Sequence, residues 1–340
     1  MLPHRVHDEA VDALDGAAVT ELPWYDRGPL GSPWVRQSIQ RYGLPVWFLA
    51  NAIPALILQM QDTSLLYFDA RLYLMATRTW LDGGDPWTVQ LAGNFFAAPP
   101  PSLLPLAPLA MLPLDMGVAI IATLVIGASV LTVRMLRLPW WWLLFPPLIQ
   151  TCFSANVHGL VLPLILLGGG ALAVFLKAYA VVPMAILGRW RALLVATVGL
   201  IATIPILPWG TYIAEFGTIQ ARLEQQTDIA LPTLVLVVAA PVAITAMAVL
   251  GRERAAWLAV PALWPSQQYY YASLVIGARS AVAAAIAAFP IEGAGLWALF
   301  ALAVLEWHRG ARPNLPHWSR TRPRTIGAVT SRTGSLDSDP

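Results

Sequence analysis

An acidic side chain, Asp69, stands near the start of a stretch that follows the first long apolar segment of the chain. A carboxylate beside a membrane is unfavourable unless it is used, paired with a cation or turned to water. One interpretation is a general base, which takes a proton from the hydroxyl group of an acceptor substrate. The other is an interfacial carboxylate paired with Arg71 or Arg78. The spacing of these residues leaves both interpretations open.

A basic side chain in an apolar setting is the second candidate. Lys177 is the single lysine of the chain and is flanked by Val, Phe, Leu, Ala and Tyr. On a continuous helix it would lie roughly 18 Å from Arg189, well into a bilayer or at its far face. An ammonium group there requires an anionic partner or a wet cavity, and a lipid phosphate would suit it. The alternative is a side chain that snorkels to the interface.

Amide, imidazole and phenol groups interrupt two other apolar regions. Asn156 and His158 can hydrogen-bond to a sugar or a phosphate, and a polar turn between two helices explains them equally well. Gln268 and Tyr270 belong to a run of glutamines and tyrosines that follows Pro265. Amides beside aromatic faces are typical of carbohydrate binding, and an aromatic belt at the membrane interface is the alternative.

The composition of the chain indicates a membrane protein. Of its 340 residues, 57% are hydrophobic and 12% are charged, whereas about a quarter are charged in soluble domains. The net charge of +2 gives no reason to expect nucleic acid as a partner. One cysteine, five histidines without metal-ligand spacing and no recognisable nucleotide-binding motif predict no cofactor. A divalent metal is neither required nor excluded by these residues.

The apolar runs supply the helices that must position these side chains. We predict an all-α polytopic membrane protein with about ten or eleven transmembrane helices. Its predicted parts are a cytoplasmic N-terminal segment (1–43), a transmembrane domain (44–307) and a disordered basic C-terminal tail (308–340). Within the domain, 61–101 is predicted to be an extracytoplasmic loop that begins with an amphipathic helix. Residues 210–228 are predicted to be a polar loop, and the arginine pairs at 189/191 and 252/254 to face the cytoplasm.

The order of these motifs resembles a known family of membrane enzymes. An apolar helix is followed by FDARLYLMATRTWLDGGDPW and then by FFAAPPPSLLPLAPLAMLP. This pattern is similar to the GT-C glycosyltransferases of the DUF2029 group, the polyprenyl-phosphate-mannose-dependent mannosyltransferases of actinobacteria and their relatives. That family has an Asp after the first helix, then a Tyr, a turn and a proline pair, matched here by Asp69, Tyr73, Gly84–Trp87 and Pro99–Pro100. The segments around Lys177 and Gln268 resemble later helices of the family.

The resemblance implies a GT-C-like helical bundle in the bacterial plasma membrane and an inverting sugar transfer, with mannose as the best guess. It implies that Asp69 is the catalytic base. The donor would be a polyprenyl-phosphate-linked sugar, with its phosphate bound by Lys177, Arg71 and His158. The substrate-binding residues would be Tyr73, Asn156, Gln268 and Tyr270. The acceptor would be a glycolipid or a glycan, and membrane lipid would surround the protein.

Two other functions remain open at the level of sequence. A transporter or flippase of a lipid-linked sugar could use the same cavity without chemistry. Inverted repeats, which are common in transporters, are not visible in this chain. A non-catalytic relative of the family is the other alternative, because residues 154–158 lack the Gln of the family's Gly-Gln-x-Asn motif.

Overall fold

The computed structural model describes residues 33–61, 65–226, 231–266 and 268–310. The first 32 residues of the predicted cytoplasmic segment, and the predicted tail from residue 311, lie outside these ranges. In chain order the α-helices are α1 Pro33–Met60, α2 Phe68–Leu81, α3 Leu103–Ala110, α4 Leu114–Met135, α5 Pro146–Ser154, α6 Val161–Leu166, α7 Gly170–Leu176, α8 Val181–Ile186, α9 Trp190–Ala202, α10 Trp209–Gln225, α11 Thr233–Leu263, α12 Ala281–Ala287 and α13 Ala294–His308.

Short 3-10 helices and one hairpin join these elements. The 3-10 helices are Pro86–Thr88, Pro100–Ser102, Trp140–Leu144, Val157–Leu160, Ala178–Ala180 and Tyr269–Ala278. The hairpin pairs β1 Gln90–Leu91 with β2 Asn94–Phe95 in antiparallel register. Its turn residues Ala92 and Gly93 both have positive φ, as a tight two-residue hairpin turn requires. The protein is therefore mostly helical, as the apolar patterning predicts.

Two helices of the described residues are long and apolar enough to cross a membrane, α4 and the Leu234–Leu263 part of α11. A third span results if Pro146–Ser154 and Val157–Leu166, which meet at 118°, are counted as one. The ten or eleven predicted crossings are not present as separate long helices. Gly168, which has positive φ, separates α6 from α7, and the extended backbone of Lys177 ends α7.

Helix α1 begins well before the predicted membrane boundary at residue 44. It runs without interruption from Pro33 and contains Pro45 and Pro54. The onset of apolar residues therefore marks a change in surroundings along this helix and not its first residue. Phe48 anchors α1 in the core, with its ring centroid 5.1 Å from that of Phe145 and 5.7 Å from that of Trp142.

The predicted amphipathic helix is present as α2. Its apolar face is fully packed against α3 and α4, with Ala70, Leu74 and Ala76 at most 1% exposed. The apolar face of the helix belongs to a hydrophobic cluster in the interior of the protein. Gly117 permits the close contact, because a Cβ there would come within 2.9 Å of the Leu74 side chain. The buried face thus fixes the rotation of α2 and the direction of its first turn.

The prediction of a polar loop at 210–228 is wrong. Residues 210–225 belong to α10, a helix of 17 residues from Trp209 to Gln225, and residues 227 and 228 lie outside the described ranges. Glutamine, glutamate, alanine and arginine are strong helix formers, and they occupy its second half. Ile219 is buried, which gives the helix a packed face.

Arginines of two chain segments, around residues 189 and 252, contact neighbouring elements at one end of the molecule. Arg252 donates a hydrogen bond to the carbonyl oxygen of Ile186 at 2.9 Å. Arg254 lies 2.8 Å from Glu306, near the C-terminus of α13. Arg189 donates to the carbonyl oxygen of Ile165 at 2.6 Å. The sequence predicts one cytoplasmic side for these segments, and the contacts require them to share an end.

Candidate functional site

A cavity of about 550 Å³ opens beside the first turn of α2. Its wall combines seven parts of the chain: the end of α1, α2 with the preceding Leu65, the β1–β2 hairpin with the residues after it, the second half of α5, the break between α7 and α8, helix α10 with the following Gln226, and residues 264–266 and 268–271. This volume is in the range of small-molecule sites. Among the residues that the structure describes, Asp69 and Lys177 are the charged residues of the wall.

A backbone contact places Asp69 at this wall. Tyr67, which precedes α2, is in the left-handed region with φ 57°. Its N–H donates to the carbonyl oxygen of Phe153, in the last turn of α5, at 2.9 Å. The start of α2 is therefore tied to the end of α5. Asp69 follows two residues later, half-buried, and faces the polar turn that ends α5.

That polar turn leaves two buried donors without protein partners. Ala155 has φ 49° and reverses the chain between Ser154 and Asn156. The Asn156 side-chain oxygen accepts a hydrogen bond from the His158 N–H at 2.8 Å. The amide nitrogen of Asn156 and the hydroxyl of Ser154 have no hydrogen-bond partner within the described chain. Unsatisfied buried donors are rare, and here both lie next to an acid.

Burial raises the pKa of the Asp69 carboxyl above its ordinary value of 3.8. The side chain of Asn156, the positive charge of Lys177 and the hydroxyl of Ser154 act in the opposite direction and favour the carboxylate. The Asn156 amide nitrogen and the Ser154 hydroxyl lie close enough to favour the carboxylate as hydrogen-bond donors, although neither reaches the distance and angle of a formed hydrogen bond, and Lys177 acts through its charge. A carboxylate with a raised pKa and a cation nearby is suited to accept a proton.

Lys177 occupies a break between two helices. Its backbone is extended, with φ −148° and ψ 109°, where α7 ends and the 3-10 helix Ala178–Ala180 begins. The ammonium nitrogen lies 5.1 Å from the ring centroid of Tyr73 and 5.6 Å from that of Tyr270. No carboxylate of the described residues lies within 4.0 Å of it. Lys177 is 8% exposed, and its ammonium group packs against two aromatic rings. Because no carboxylate of the described chain neutralises it at this distance, it is available to bind an anion.

His158 does not reach the cavity. Its Nε2 lies 2.7 Å from the Ser273 hydroxyl, and its Nδ1 is hydrogen-bonded to the Tyr179 hydroxyl. The ring is 1% exposed, so both nitrogens are occupied and no phosphate has access to them. His158 is therefore not positioned to bind the donor phosphate, contrary to the prediction from the sequence. It joins the turn after α5, the Lys177 break and the 3-10 helix Tyr269–Ala278.

Arg71 also lies away from the cavity wall. It forms an ion pair with Asp115 at 3.0 Å, on an exposed side of α2. The alternative partner of Asp69 suggested by spacing, Arg78, instead donates to the carbonyl oxygens of Ala110 and Leu112. These two arginines are already engaged, and neither pairs with Asp69 in the structure. The interfacial ion-pair interpretation of Asp69 therefore has no geometric basis.

The remaining predicted substrate residues divide into two groups. Tyr73, Gln268 and Tyr270 line the cavity. Asn156 is fully buried behind the wall and contacts its surroundings through backbone and side-chain polar groups.

Sequence reasoning missed the contribution of α10 to the wall. Tyr212, Phe216, Gln220, Leu223 and Gln226 line the cavity from this helix. Their spacings of four, four, three and three residues place them on one helical face, which is the signal that could have revealed them. Asn94 and Gln150 add further amides. No group of three or more His, Cys, Asp or Glu residues stands together within the described ranges, so a metal site has no donor set there.

No family model, curated protein or solved structure matches the chain at a significant level.

The network around His158 yields a prediction about stability. We expect His158→Ala to lower the free energy of unfolding by about 2–4 kcal/mol, because a cavity forms and two buried hydroxyls lose their partner. Thermal unfolding of the purified protein in detergent would measure it. His308→Ala, at the exposed end of α13, is the control and should leave the unfolding temperature unchanged. Equal unfolding temperatures for both variants would contradict the structural role of His158.

Proposed function

We propose that this chain is a membrane glycosyltransferase that moves a sugar from a polyprenyl-phosphate donor to an acceptor hydroxyl. The observation that supports it is the composition of the cavity wall. One carboxylate, Asp69, and one ammonium group, Lys177, are its charged groups among the described residues, and the rest is aromatic, amide, hydroxyl or apolar. An acid–cation pair of this kind matches a reaction that removes a proton and releases a phosphate.

The proposed reaction is a single displacement. The Asp69 carboxylate takes the proton of the acceptor hydroxyl as its oxygen attacks the anomeric carbon. The bond between that carbon and the phosphate oxygen breaks, and the bonding electrons leave with the polyprenyl phosphate. Lys177 stabilises the negative charge that develops on the leaving phosphate. Configuration at the anomeric carbon is inverted, because the acceptor enters opposite the leaving group.

A transporter of a lipid-linked sugar is the second candidate, and one observation favours it. The polypeptide beside the cavity is a helix broken by 118° between Ser154 and Val157. Broken helices at the binding site are common in secondary transporters. The unpaired donors at Ser154 and Asn156 would then bind a substrate group without any reaction.

Transfer of label distinguishes the two functions. Membranes that contain the chain would be incubated with polyprenyl-phosphate-[¹⁴C]mannose, and extracted lipids and glycans would be separated by chromatography. We expect a labelled product that is absent from membranes without the chain. Label that only moves from one face of sealed vesicles to the other, with the donor chemically intact, would support the transporter instead.

The raised pKa of Asp69 predicts the acid limit of the activity. The base must be ionised, so kcat/KM should fall on acidification at a higher pH than for a carboxyl group with an ordinary pKa of 3.8. Asn156→Ala removes a group that favours the carboxylate, and the acid limb should then move to still higher pH. The pH profile of transfer measures both effects.

A second asparagine provides the control for this shift. The Asn51 amide donates to the Trp47 carbonyl oxygen at 2.8 Å within α1, and its residue is not part of the cavity wall. Asn51→Ala should leave the acid limb where the wild type has it. If the pH profile of Asn156→Ala superimposes on that of the wild type, Asn156 does not influence the pKa of the base.

A further inference from the structure

Helix α10 presents a continuous stripe of side chains to the cavity. Tyr212 and Phe216 occupy its N-terminal part, and Gln220, Leu223 and Gln226 follow toward the C-terminus. From the first to the last of these residues the stripe is roughly 21 Å long at 1.5 Å per residue. It is therefore much longer than the immediate surroundings of Asp69 and Lys177 require. The stripe changes along its length from aromatic rings to carboxamides.

The aromatic end of the stripe is part of a packed cluster. The ring centroid of Tyr212 lies 5.2 Å from that of Trp87 and 5.9 Å from that of Phe216. Phe216 is nevertheless 52% exposed, and it lines the cavity. An aromatic ring that is packed against a neighbouring ring and still accessible offers a flat surface for a ligand.

The part of the wall beside α10 is connected to this helix by Arg222. Its guanidinium donates to the carbonyl oxygen of Trp87 at 3.0 Å. The same group lies 4.4 Å from the ring centroid of Phe95, on strand β2. Arg222 thus connects α10 to both the Pro86–Thr88 helix and the hairpin. The neighbouring Asn94 then lines the cavity from a hairpin that Arg222 contacts.

The amide end of the stripe has unused hydrogen-bonding capacity. The Gln226 amide nitrogen is buried and has no partner within the described residues. The Gln220 amide nitrogen donates to Glu224 at 3.1 Å, which leaves its oxygen as an acceptor. Each amide can both donate and accept, as a sugar hydroxyl can. An alkyl chain at this position would leave these groups desolvated and unpaired.

We propose that the α10 stripe and Asn94 form a binding site for the acceptor, and that the acceptor is a neutral oligosaccharide of about four sugar units, given the roughly 21 Å length. This inference rests on the proposed glycosyl transfer. Sugar rings stack on Phe216 and Tyr212, and their hydroxyl groups bond to the amides of Gln220, Gln226 and Asn94. No charged residue of the described chain lines this part of the wall, which excludes an ionic acceptor from the fit.

Binding would be measured without catalysis, on the full chain in detergent, from the tryptophan fluorescence. The probes are linear mannose oligosaccharides of one to six units, with monoacylglycerol as the lipid-hydroxyl probe. We expect affinity to rise with length up to about four units and then to level off, as the stripe ends. Binding of monoacylglycerol without binding of any oligosaccharide would overturn the proposal, and so would no binding of either probe.

Two pairs of variants test which face of α10 is used. Gln220→Leu and Phe216→Ala change the stripe, and each should weaken tetrasaccharide binding at least tenfold. Gln225→Leu and Ile213→Ala are the matched controls, because both residues are exposed on α10 outside the cavity wall. Thermal unfolding of all four variants would identify any that fail to fold. Equal binding by the test and control variants would contradict the proposal.

Transfer kinetics separate this proposal from the proposed function. Gln220→Leu should raise the KM of the oligosaccharide acceptor at least tenfold and leave the KM of the polyprenyl-phosphate-sugar unchanged. A rise in the donor KM alone would assign the stripe to the donor and overturn the proposal. If oligosaccharide binding depends on the stripe but the chain transfers no sugar, the proposed binding site is supported and the proposed glycosyltransferase activity is contradicted.

Discussion

Replacing Asp69 by Asn is expected to lower the rate of sugar transfer by roughly 10³-fold, within the 10²–10⁴-fold range for loss of a general base. The amide has nearly the shape of the carboxyl group and cannot accept the proton of the acceptor hydroxyl. Binding of donor and acceptor should change little, so the loss should appear in kcat and not in KM. Transfer of label in single-turnover reactions would measure it.

An acid elsewhere on the same helix provides the control for this substitution. Asp82 follows the last residue of α2, is exposed and does not line the cavity. Asp82→Asn removes the same charge and should retain full activity. If Asp69→Asn and Asp82→Asn both transfer at the wild-type rate, Asp69 is a structural residue. Loss of folding would show as a changed unfolding temperature, which Asp69→Asn should not cause.

The sequence predicts the elements that carry a strong periodic signal. Helix α2 follows from apolar residues at helical spacing, and α4 follows from a long uninterrupted apolar run. Helix α10 was not predicted, because half of its residues are polar and polarity indicated a loop. Its cavity-facing residues recur every three or four positions, and this helical period indicates a helix although the polar composition indicates a loop.

The placement of the candidate site residues was predicted in part. Asp69, Tyr73 and Lys177 share the cavity, as their expected roles require. His158 could not be placed from the sequence, because its partners are far away along the chain. Tyr179 is 21 residues distant and Ser273 is 115 residues distant. Contacts of this range depend on how short helices pack, and no local pattern in a single sequence encodes them.

Replacing Lys177 by Met is expected to lower kcat/KM for transfer by roughly 10²-fold, the effect of losing one group that stabilises a developing negative charge. Methionine keeps most of the apolar length of the side chain and removes its charge. Lys177→Arg retains the charge and should keep part of the activity, although a planar guanidinium fits the rings of Tyr73 and Tyr270 differently. Steady-state kinetics at varied donor concentration would measure both variants.

Chemical labelling tests the same residue without catalysis. Lys177 carries the only side-chain amine of the chain, so an amine-directed acylating reagent has one internal target. Mass spectrometry would report its modification, with the N-terminal amine as an internal reference. We expect polyprenyl phosphate to protect Lys177 and the uncharged polyprenol to leave it reactive. Protection by both compounds would mean that the hydrocarbon chain covers the amine, which would contradict the phosphate-binding role of Lys177. The catalytic role of Asp69 would not be affected by this result, because the Asp69→Asn variant tests it separately.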